Sequence, residues 1–325
     1  MSIAFVIYTV VFILSLISFP IYFKLAKKYG VIDRPNERSS HSEPTIRGAG
    51  ILLIISYICF FAWSNYYLAL GCILAAIVGY VDDRITLRAM VRLPLYMLSV
   101  LLTFLELNIF NESAWYVSLI FFVVALGVIN TYNFMDGING ITGMYSTVFF
   151  LTIGTVHAFV MELPQLKVLV PLIMIYLVIF GFYNYRQKAK TFLGDAGSVS
   201  IGLLVVYMVL AMIKNTDDFT WIVLLLVYGV DSVGTIIMRI IRRENIFLAH
   251  RSHLYQDMTN IVGHSHLKVS MAYAFVQLTI NILWLANYHY HWISSYILLS
   301  MILISLIVFY LWYKKKHNQL IFSRS

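Results

Sequence analysis

The sequence predicts an all-α membrane protein, a polytopic helical bundle of about eleven transmembrane helices that forms a single integral-membrane domain over residues 1–325. Of the 325 residues, 61% are hydrophobic and only 12% are charged, and the mean hydropathy is +0.82. Soluble domains carry about 25% charged residues, so the composition excludes an ordinary soluble fold. The apolar residues also occur in runs close to the roughly 20 residues that a helix needs to cross a bilayer.

Eleven apolar runs are candidate spans. They cover residues 3–25, 49–66, 68–82, 93–107, 115–133, 141–161, 168–185, 197–213, 220–240, 268–287 and 293–313. The second to fourth runs are short or closely spaced, which leaves a count of ten open. No positive charge precedes the first run, and it continues into Lys24, Lys27 and Lys28, so we expect a retained helix and not a cleaved signal peptide.

The basic residues orient the predicted bundle, because cytoplasmic loops of membrane proteins are enriched in Lys and Arg. With eleven spans, all of the 23 basic residues except Lys167 and Lys214 lie on one side. The N-terminus is then expected outside and the C-terminus in the cytoplasm, and an even number of spans would break the pattern. The net charge of +8 is scattered over short loops, which favours anionic headgroups or substrates and not nucleic acid. Cys59 and Cys72 lie within apolar runs and predict neither disulfides nor a metal cluster.

Carboxylates lie at the ends of two predicted spans. Asp82 and Asp83 could be solvated acids at a helix end, or they could organise a divalent cation or share a proton. Asp195 lies between glycines where the eighth span begins. That position suits an N-cap, and it also attracts phosphate or a metal–phosphate complex. Ionisable groups at a membrane are costly, so their concentration predicts a functional site.

Polar residues recur at every third position where the fifth span ends. They are Asn130, Asn133, Asp136 and Asn139. In a continuous helix they would share one broad face, whereas the alternative is a helix that frays at the glycines nearby. Oxygen ligands of this type suit Mg²⁺, and the glycines would let the backbone approach a ligand.

Two longer polar segments, residues 26–48 and 241–267, carry histidine and arginine. The second contains His250, Arg251 and His253. Zinc is not favoured there, because no Cys or Glu completes a ligand set, and we expect contacts to a phosphorylated substrate. This segment also has room for a short amphipathic helix. The first has the proline and glycine content of a flexible linker. Its basic residues, which would add to an anion-attracting surface, are Arg34, Arg38, His41 and Arg47.

Taken in order along almost the whole chain, the motifs resemble those of the polyprenyl-phosphate N-acetylhexosamine-1-phosphate transferase family. They are DRPNERSSHSEPTIRGAG, VDDR, NFMDGING, FLGDAGS and AHRSHLYQ. The resemblance implies transfer of a sugar 1-phosphate from a UDP-N-acetylhexosamine to undecaprenyl phosphate in the bacterial inner membrane, with UMP as the second product. It implies Mg²⁺ as cofactor, for which Mn²⁺ could substitute. The reaction would prime a surface polysaccharide such as O-antigen, capsule, common antigen or teichoic acid, and assembly as a homodimer stays open.

The resemblance implies a catalytic set of four carboxylates, Asp82, Asp83, Asp136 and Asp195. Of these, Asp195 would hold the metal on the diphosphate together with Asn133. Asp82 and Asp83 would position or deprotonate the lipid phosphate, and Asp136 would support the same centre. The family often has a third aspartate where this chain has Thr86, a departure that removes no residue of the set.

The resemblance also implies a substrate-binding set, which comprises Arg92, Asn139, Phe192, His250, Arg251 and His253. Arg92 would grip the diphosphate, Phe192 would stack on uracil, and the three loop residues would meet the sugar and phosphates. Bacterial relatives often have aspartate in place of Asn139, so we expect Asn139 to bind, for example by a hydrogen bond to uracil, and not to transfer a proton. A covalent phospho-sugar on an aspartate and direct attack by the lipid phosphate both stay open.

A cation-coupled transporter is the main alternative function. It would place ionisable residues near the middle of spans and show repeat symmetry, whereas the candidates here lie at span ends on one side. A non-catalytic scaffold gives no reason for separate polar motifs to converge.

Overall fold

The computed structural model describes residues 3–35, 40, 43–62, 66–163, 166–246, 248 and 250–322, without the side chains of 318–322. Within these residues nearly all regular structure is helical, which confirms the predicted all-α membrane fold. Nine helices of the described part are long and apolar enough to cross a membrane. Arg38 and His41, two basic residues of the first predicted loop, lie outside the described residues.

The helices follow the predicted spans. They are α1 (Ile3–Lys28), α2 (Ile54–Phe61), α3 (Tyr66–Ile85), α4 (Ala89–Glu106), α5 (Ile109–Glu112), α6 (Trp115–Met135), α7 (Ile141–Phe159), α8 (Leu166–Asn184), α9 (Gly194–Thr216), α10 (Leu226–Ile241), α11 (Leu254–Gln256), α12 (His266–Tyr290) and α13 (Ser295–Phe322). Turns of 3₁₀-helix over Ala49–Leu53 and Phe219–Leu225 lead into α2 and α10. Each predicted span falls on one of these helical segments. The short segment Ala49–Phe61 and α3 are not among the nine long apolar helices, so eleven crossings stays a prediction.

The centre of the bundle is α9. Its most apolar stretch is completely buried, and α3 and α6 pack along it. The backbone of Gly50 lies directly against this helix, where a Cβ on Gly50 would be 2.1 Å from the nitrogen of Gly197. Only glycine allows so close a contact. The periphery includes α13, whose apolar stretch is only 6% buried, as suits a lipid-facing helix.

A small sheet connects the first polar segment to the start of α9. Strand β1 (Ile32–Asp33) pairs antiparallel with β2 (Thr45–Ile46). Ile46 also bridges Thr191, and its carbonyl oxygen accepts a hydrogen bond from the backbone N–H of Phe192 at 2.8 Å. Sequence alone does not predict these strands, because two paired residues leave no alternating pattern. The sheet brings the first loop to the residues that precede α9.

Of the four polar residues predicted to share one helix face, only Asn130 and Asn133 lie on a helix. α6 ends at Met135, Asp136 follows it with φ −82° and ψ 48°, and Asn139 lies in the loop before α7. Asn130 is exposed and donates its side-chain amide to the carbonyl oxygen of Leu126. The prediction of a single shared face is therefore wrong for Asp136 and Asn139, because the backbone leaves the helix at Asp136.

The second polar segment contains the predicted short helix. It is α11, which continues as a π-helical turn over Asp257–Ile261. The prediction of a helix before α12 is confirmed, but the three residues of α11 are all buried, so the helix lies inside the protein and not on its surface.

Candidate active site

Helix ends bring the four predicted carboxylates to one end of the bundle. Asp82 and Asp83 lie in the last turns of α3, Asp136 follows α6, and Asp195 lies in the first turn of α9. These residues interact across long stretches of sequence. We describe them, with Arg47 and Arg92, as the acidic cluster.

Asp83 caps α9 from a different helix. Its Oδ1 accepts a hydrogen bond from the backbone N–H of Asp195 at 3.0 Å, and its Oδ2 accepts one from Ala196 at 3.3 Å. N–H groups in a first helical turn have no partner within the helix, and a carboxylate also interacts favourably with the helix dipole there. Gly194 has φ +72°, and a Cβ on it would lie 2.3 Å from Oδ2 of Asp83. The N-cap position belongs to Leu193, so Asp195 does not cap its own helix.

Arg47 joins two of the carboxylates. Its Nε lies 2.6 Å from Oδ1 of Asp83, and its Nη2 lies 2.9 Å from Oδ1 of Asp195. Burial alone would lower the pKa of Arg47, but Asp83 and Asp195 raise it above its ordinary value, so the guanidinium stays charged. The side chain of Asp83 is fully buried and both of its oxygens are occupied. This arrangement favours a positioning role for Asp83 over proton transfer.

Asp82 and Arg92 form a second ion pair beside the first. Nη1 of Arg92 lies 2.7 Å from Oδ2 of Asp82, and the backbone N–H of Leu87 donates to Oδ1 at 2.5 Å. Asp82 is also close enough to Asp195 for the two carboxyl groups to interact. Asp82 is thus the residue through which Arg92 joins the other carboxylates, and the predicted contact of Arg92 with a diphosphate stays a prediction.

Two adjoining cavities open beside the cluster. The smaller, of about 330 Å³, is lined by Arg47, Asn133, Asp136, Asp195 and Gln256 among others. The larger, of about 500 Å³, is lined by the first loop, residues 187–189 and the start of α12. The residues that line both are Ser40, Asn139, Phe192 and His266. The two cavities therefore meet at Phe192, and the smaller one borders the acidic cluster.

Asn139 and Phe192 lie where the two cavities meet. The side-chain amide of Asn139 donates to the carbonyl oxygens of Arg186 at 2.9 Å and Gln187 at 3.0 Å. Asn139 is buried, and its Oδ1 has no hydrogen-bond partner within the described part of the chain. The backbone of Phe192 is fixed by its bond to Ile46. Asn139 and Phe192 therefore border both cavities, and the Asn139 amide is held by the loop at residues 186–187.

Asp136 lines the smaller cavity just beyond the end of α6. Burial raises the pKa of Asp136 to about 7, and the nearby charge of Asp195 acts in the same direction. A carboxyl group with this pKa exchanges its proton near neutral pH, which suits acid–base work. A cation bound beside it would favour the carboxylate form.

The loop with His250, Arg251 and His253 packs behind the site. The ring centroids of His250 and His253 lie 6.4 and 6.2 Å from that of Phe134, and His253 is buried. Burial and the neighbouring His253 lower the pKa of His250 to about 4, so it is neutral at pH 7. Neither cavity is lined by His250, Arg251 or His253, and the cavity-lining residue of this loop and α11 is Gln256. Contacts of the three predicted residues with sugar and phosphates stay a prediction.

The acidic cluster suits a hard divalent cation. Its four carboxyl groups outnumber its two guanidinium groups, which leaves negative charge to neutralise. Asp195 and Asn133 line the same cavity, and the side-chain amide of Asn133 donates to Oγ of Ser198 at 3.3 Å, which leaves its oxygen as a ligand atom. No three His, Cys, Asp or Glu side chains of the described chain form a complete metal cage. Mg²⁺ commonly binds through one or two carboxylates and completes its coordination with water and phosphate oxygens, so this donor set fits.

Three residues at the site have no role assigned from sequence. Arg47 counts there only as one of several loop charges, and no local pattern could identify it, because its partner Asp195 lies 148 residues further along the chain. His266 begins α12 and lines both cavities. Gln256 ends the AHRSHLYQ motif, and this position in a motif is the sequence signal that could have found it.

The fold and the site define a polytopic membrane protein with clustered carboxylates and arginines beside a cavity at one end of its helices. The model of glycosyl transferase family 4 matches residues 65–213, a range that includes all four aspartates. The match covers a little under half of the chain, and together with the relatives described next it makes the chain similar to this family, as its motifs indicate.

Three relatives illustrate the similarity. A probable undecaprenyl-phosphate N-acetylglucosaminyl 1-phosphate transferase of Bacillus subtilis (strain 168) is 26% identical over 287 residues, which cover 79% of this chain and 78% of that protein. The undecaprenyl-phosphate alpha-N-acetylglucosaminyl 1-phosphate transferase of Escherichia coli O157:H7 is 25% identical over 320 residues, 88% of this chain and 84% of that protein. The Salmonella typhi protein of the same name is 28% identical over 262 residues, 71% and 70% of the two chains.

Proposed function

We propose that this protein transfers an N-acetylhexosamine 1-phosphate from a UDP-sugar to undecaprenyl phosphate at the cytoplasmic face of a bacterial inner membrane. The relatives above are named as undecaprenyl-phosphate N-acetylglucosaminyl 1-phosphate transferases. The observation that carries the proposal is the convergence of Arg47, Asp136 and Asp195 on one cavity, which Phe192 borders together with the neighbouring cavity.

In this reaction the sugar phosphate exchanges its anhydride bond to UMP for an anhydride bond to the lipid phosphate. An oxygen of the lipid phosphate attacks the β-phosphorus of the UDP-sugar, the bond from that phosphorus to the bridging oxygen breaks, and UMP leaves with the electron pair. Both reactants are anions, so neutralisation of charge and in-line alignment dominate the catalysis of such a step. Asp195 and Asn133 would hold Mg²⁺, which would supply positive charge to the diphosphate. Arg47 fixes the orientation of Asp195 through its ion pair.

The two cavities suit the two halves of the donor. Phe192 lines both cavities and stacks on the uracil, and Asn139 lies at the same junction beside the base. The diphosphate then lies toward Arg47 and Asp195. Asp136 and Gln256 border the smaller cavity, where the sugar phosphate reacts.

The position of the cluster fits one soluble and one membrane-embedded substrate. All four carboxylates lie at helix ends on one side of the bundle, which supports a site at the membrane surface, where a soluble and a lipid substrate can meet. A transporter would carry such groups near the middle of its spans. With the N-terminus outside, this side is cytoplasmic, where nucleotide sugars occur.

The test is an assay with purified protein, a panel of UDP-N-acetylhexosamines, labelled undecaprenyl phosphate and Mg²⁺. We expect a lipid-diphosphate sugar and an equal amount of UMP, loss of both on chelation, and recovery on addition of Mg²⁺ or Mn²⁺. Release of UDP would show transfer of the sugar without its phosphate and would contradict the proposal. So would the absence of a lipid product with every donor in the panel.

A further inference from the structure

Asp231 is a buried carboxylate that the proposed chemistry does not use. It is 1% exposed and lies in α10, within the segment Phe219–Ile241 that is apolar enough to cross a membrane. Ionisable residues in such segments are costly and mark function by default. Asp231 lines neither of the two cavities beside the acidic cluster.

Asp231 contacts the start of α11, and it also accepts hydrogen bonds from Thr235 of its own helix at 3.3 Å and from Tyr273. Its Oδ1 accepts a hydrogen bond from the backbone N–H of Leu254 at 2.7 Å, and its Oδ2 accepts one from Tyr255 at 3.2 Å. The hydroxyl of Tyr273, from α12, donates to Oδ2 at 2.7 Å. Nδ1 of His253 lies 3.4 Å from Oδ1. The carboxylate therefore fixes two consecutive backbone amides of a segment that is distant in sequence.

Helix α11 connects Asp231 to the smaller cavity. The hydroxyl of Tyr255 donates to the carbonyl oxygen of Phe134 at 3.0 Å, two residues before Asp136. The next residue, Gln256, lines the cavity together with Asp136 and Asp195. A shift of α11 would thus move one wall of the cavity and the support of the Asp136 loop.

A buried ion pair between Lys314 and Asp257 fixes the other side of this segment. Nζ of Lys314, from α13, lies 2.6 Å from Oδ2 of Asp257 and 2.6 Å from the carbonyl oxygen of Ser252. Both side chains of the pair are less than 9% exposed. Lys314 contacts residues on either side of α11. The first two backbone amides of α11 itself are instead bound by Asp231.

We propose that Asp231 is a positioning residue that holds α11 in place so that Gln256 forms one wall of the substrate cavity. The substrate in this statement rests on the proposed function, whereas the position of α11 does not. Asp231→Asn keeps the side-chain volume but replaces one acceptor oxygen with an NH₂ group. Whether the NH₂ group takes the position of Oδ1 or of Oδ2, it would face a backbone N–H donor, from Leu254 or from Tyr255 respectively.

The experiment measures hydrogen–deuterium exchange and kinetics of the full-length protein in detergent. Loss of a hydrogen bond to a charged acceptor corresponds to about tenfold or more, so exchange in the peptide with Leu254 and Tyr255 should rise by that factor in Asp231→Asn. Exchange around Asp195 should not change. The KM for the UDP-sugar should rise, because the cavity wall moves. A smaller folded fraction would lower the apparent kcat and leave KM unchanged.

Tyr273→Phe is the milder variant, because it removes one donor and leaves both backbone amides in contact with Asp231. We expect the same local change at a smaller size, and this variant decides the question if Asp231→Asn does not fold. The proposal is overturned if exchange at Leu254 and Tyr255 in the variants equals that of the wild-type protein. A uniform rise in exchange over the whole chain also overturns it. If the wild-type protein transfers no sugar phosphate, the proposed function fails, and exchange alone decides the role of Asp231.

Discussion

Asp83→Asn tests the cap of α9. The amide can keep its oxygen at the position of Oδ1, which receives Arg47 and the N–H of Asp195, but its NH₂ group then faces the N–H of Ala196. One hydrogen bond is lost, and the contact to Arg47 loses its opposite charge. Hydrogen bonds to charged groups contribute about 1.5 to 3 kcal/mol each, so losing one and weakening another costs about 2 to 4 kcal/mol. We expect a lower unfolding temperature in the absence of substrates, with turnover reduced at least about a hundredfold.

The assay combines thermal unfolding in detergent with product formation at saturating substrates. The matched control is Asp217→Asn at the opposite end of α9, an exposed position with φ 53°, which asparagine tolerates. This control should change neither quantity. A lost activity with unchanged unfolding temperature would mean that Asp83 acts as a base and not as a cap. Unchanged stability together with near-normal turnover would refute both interpretations.

Four further outcomes are expected. Asp195→Asn should reduce transfer more than about a hundredfold and weaken the dependence on Mg²⁺ concentration, because it removes a ligand and a main source of electrostatic stabilisation; an unchanged Mg²⁺ titration would contradict the metal role. Phe192→Ala should raise the KM for the UDP-sugar by the equivalent of about 1 to 3 kcal/mol and leave that for the lipid unchanged, whereas the exposed Phe159→Ala should change neither. Burial raises the pKa of Asp136 to about 7, so between about pH 4 and pH 7 the folded protein binds a proton that the unfolded chain releases. The unfolding temperature of the ligand-free protein should therefore fall over this range and then level off. Asp136→Asn should flatten the slope. A cysteine placed at Ser42, outside the described residues, in a cysteine-free background should react with an impermeant reagent only after the membrane is opened, and labelling from outside intact cells would show the reverse orientation.

Local properties of the sequence were sufficient to predict the helices. An apolar run of about 20 residues favours a helix in a bilayer wherever it occurs, and each of the eleven runs falls on a helical segment. The end of α6 was harder to predict, because the polar residues continue at helical spacing to Asn139. The backbone turns at Asp136 and thereby directs Asn139 toward the loop at residues 186–187.

Contacts between distant segments could not be predicted in this way. The cap on α9 joins residues 112 positions apart, and no periodicity in either segment specifies the other. Sequence reasoning correctly placed Asp83 and Asp195 at helix ends, but it could not show that the first occupies the amides of the second. The same holds for Arg47. Its partner Asp195 follows from the pairing of β2 with the residues before α9, which the sequence does not reveal.

Asp83 and Asp231 differ from Asp136 and Asp195 in what their oxygens contact. Asp83 and Asp231 each accept two consecutive backbone N–H groups at the start of another helix, α9 and α11 respectively. Asp136 and Asp195 instead line the cavity, where they can meet a ligand. A neutral substitution in the first pair leaves a buried N–H without an acceptor and should therefore disturb the fold before any substrate binds. In the second pair it should act mainly on substrate or metal. An aspartate that lies in the acidic cluster therefore does not by that position alone take part in the chemistry. Asp83 is the example: its position places it with the catalytic carboxylates, whereas the contacts of its oxygens make it a cap.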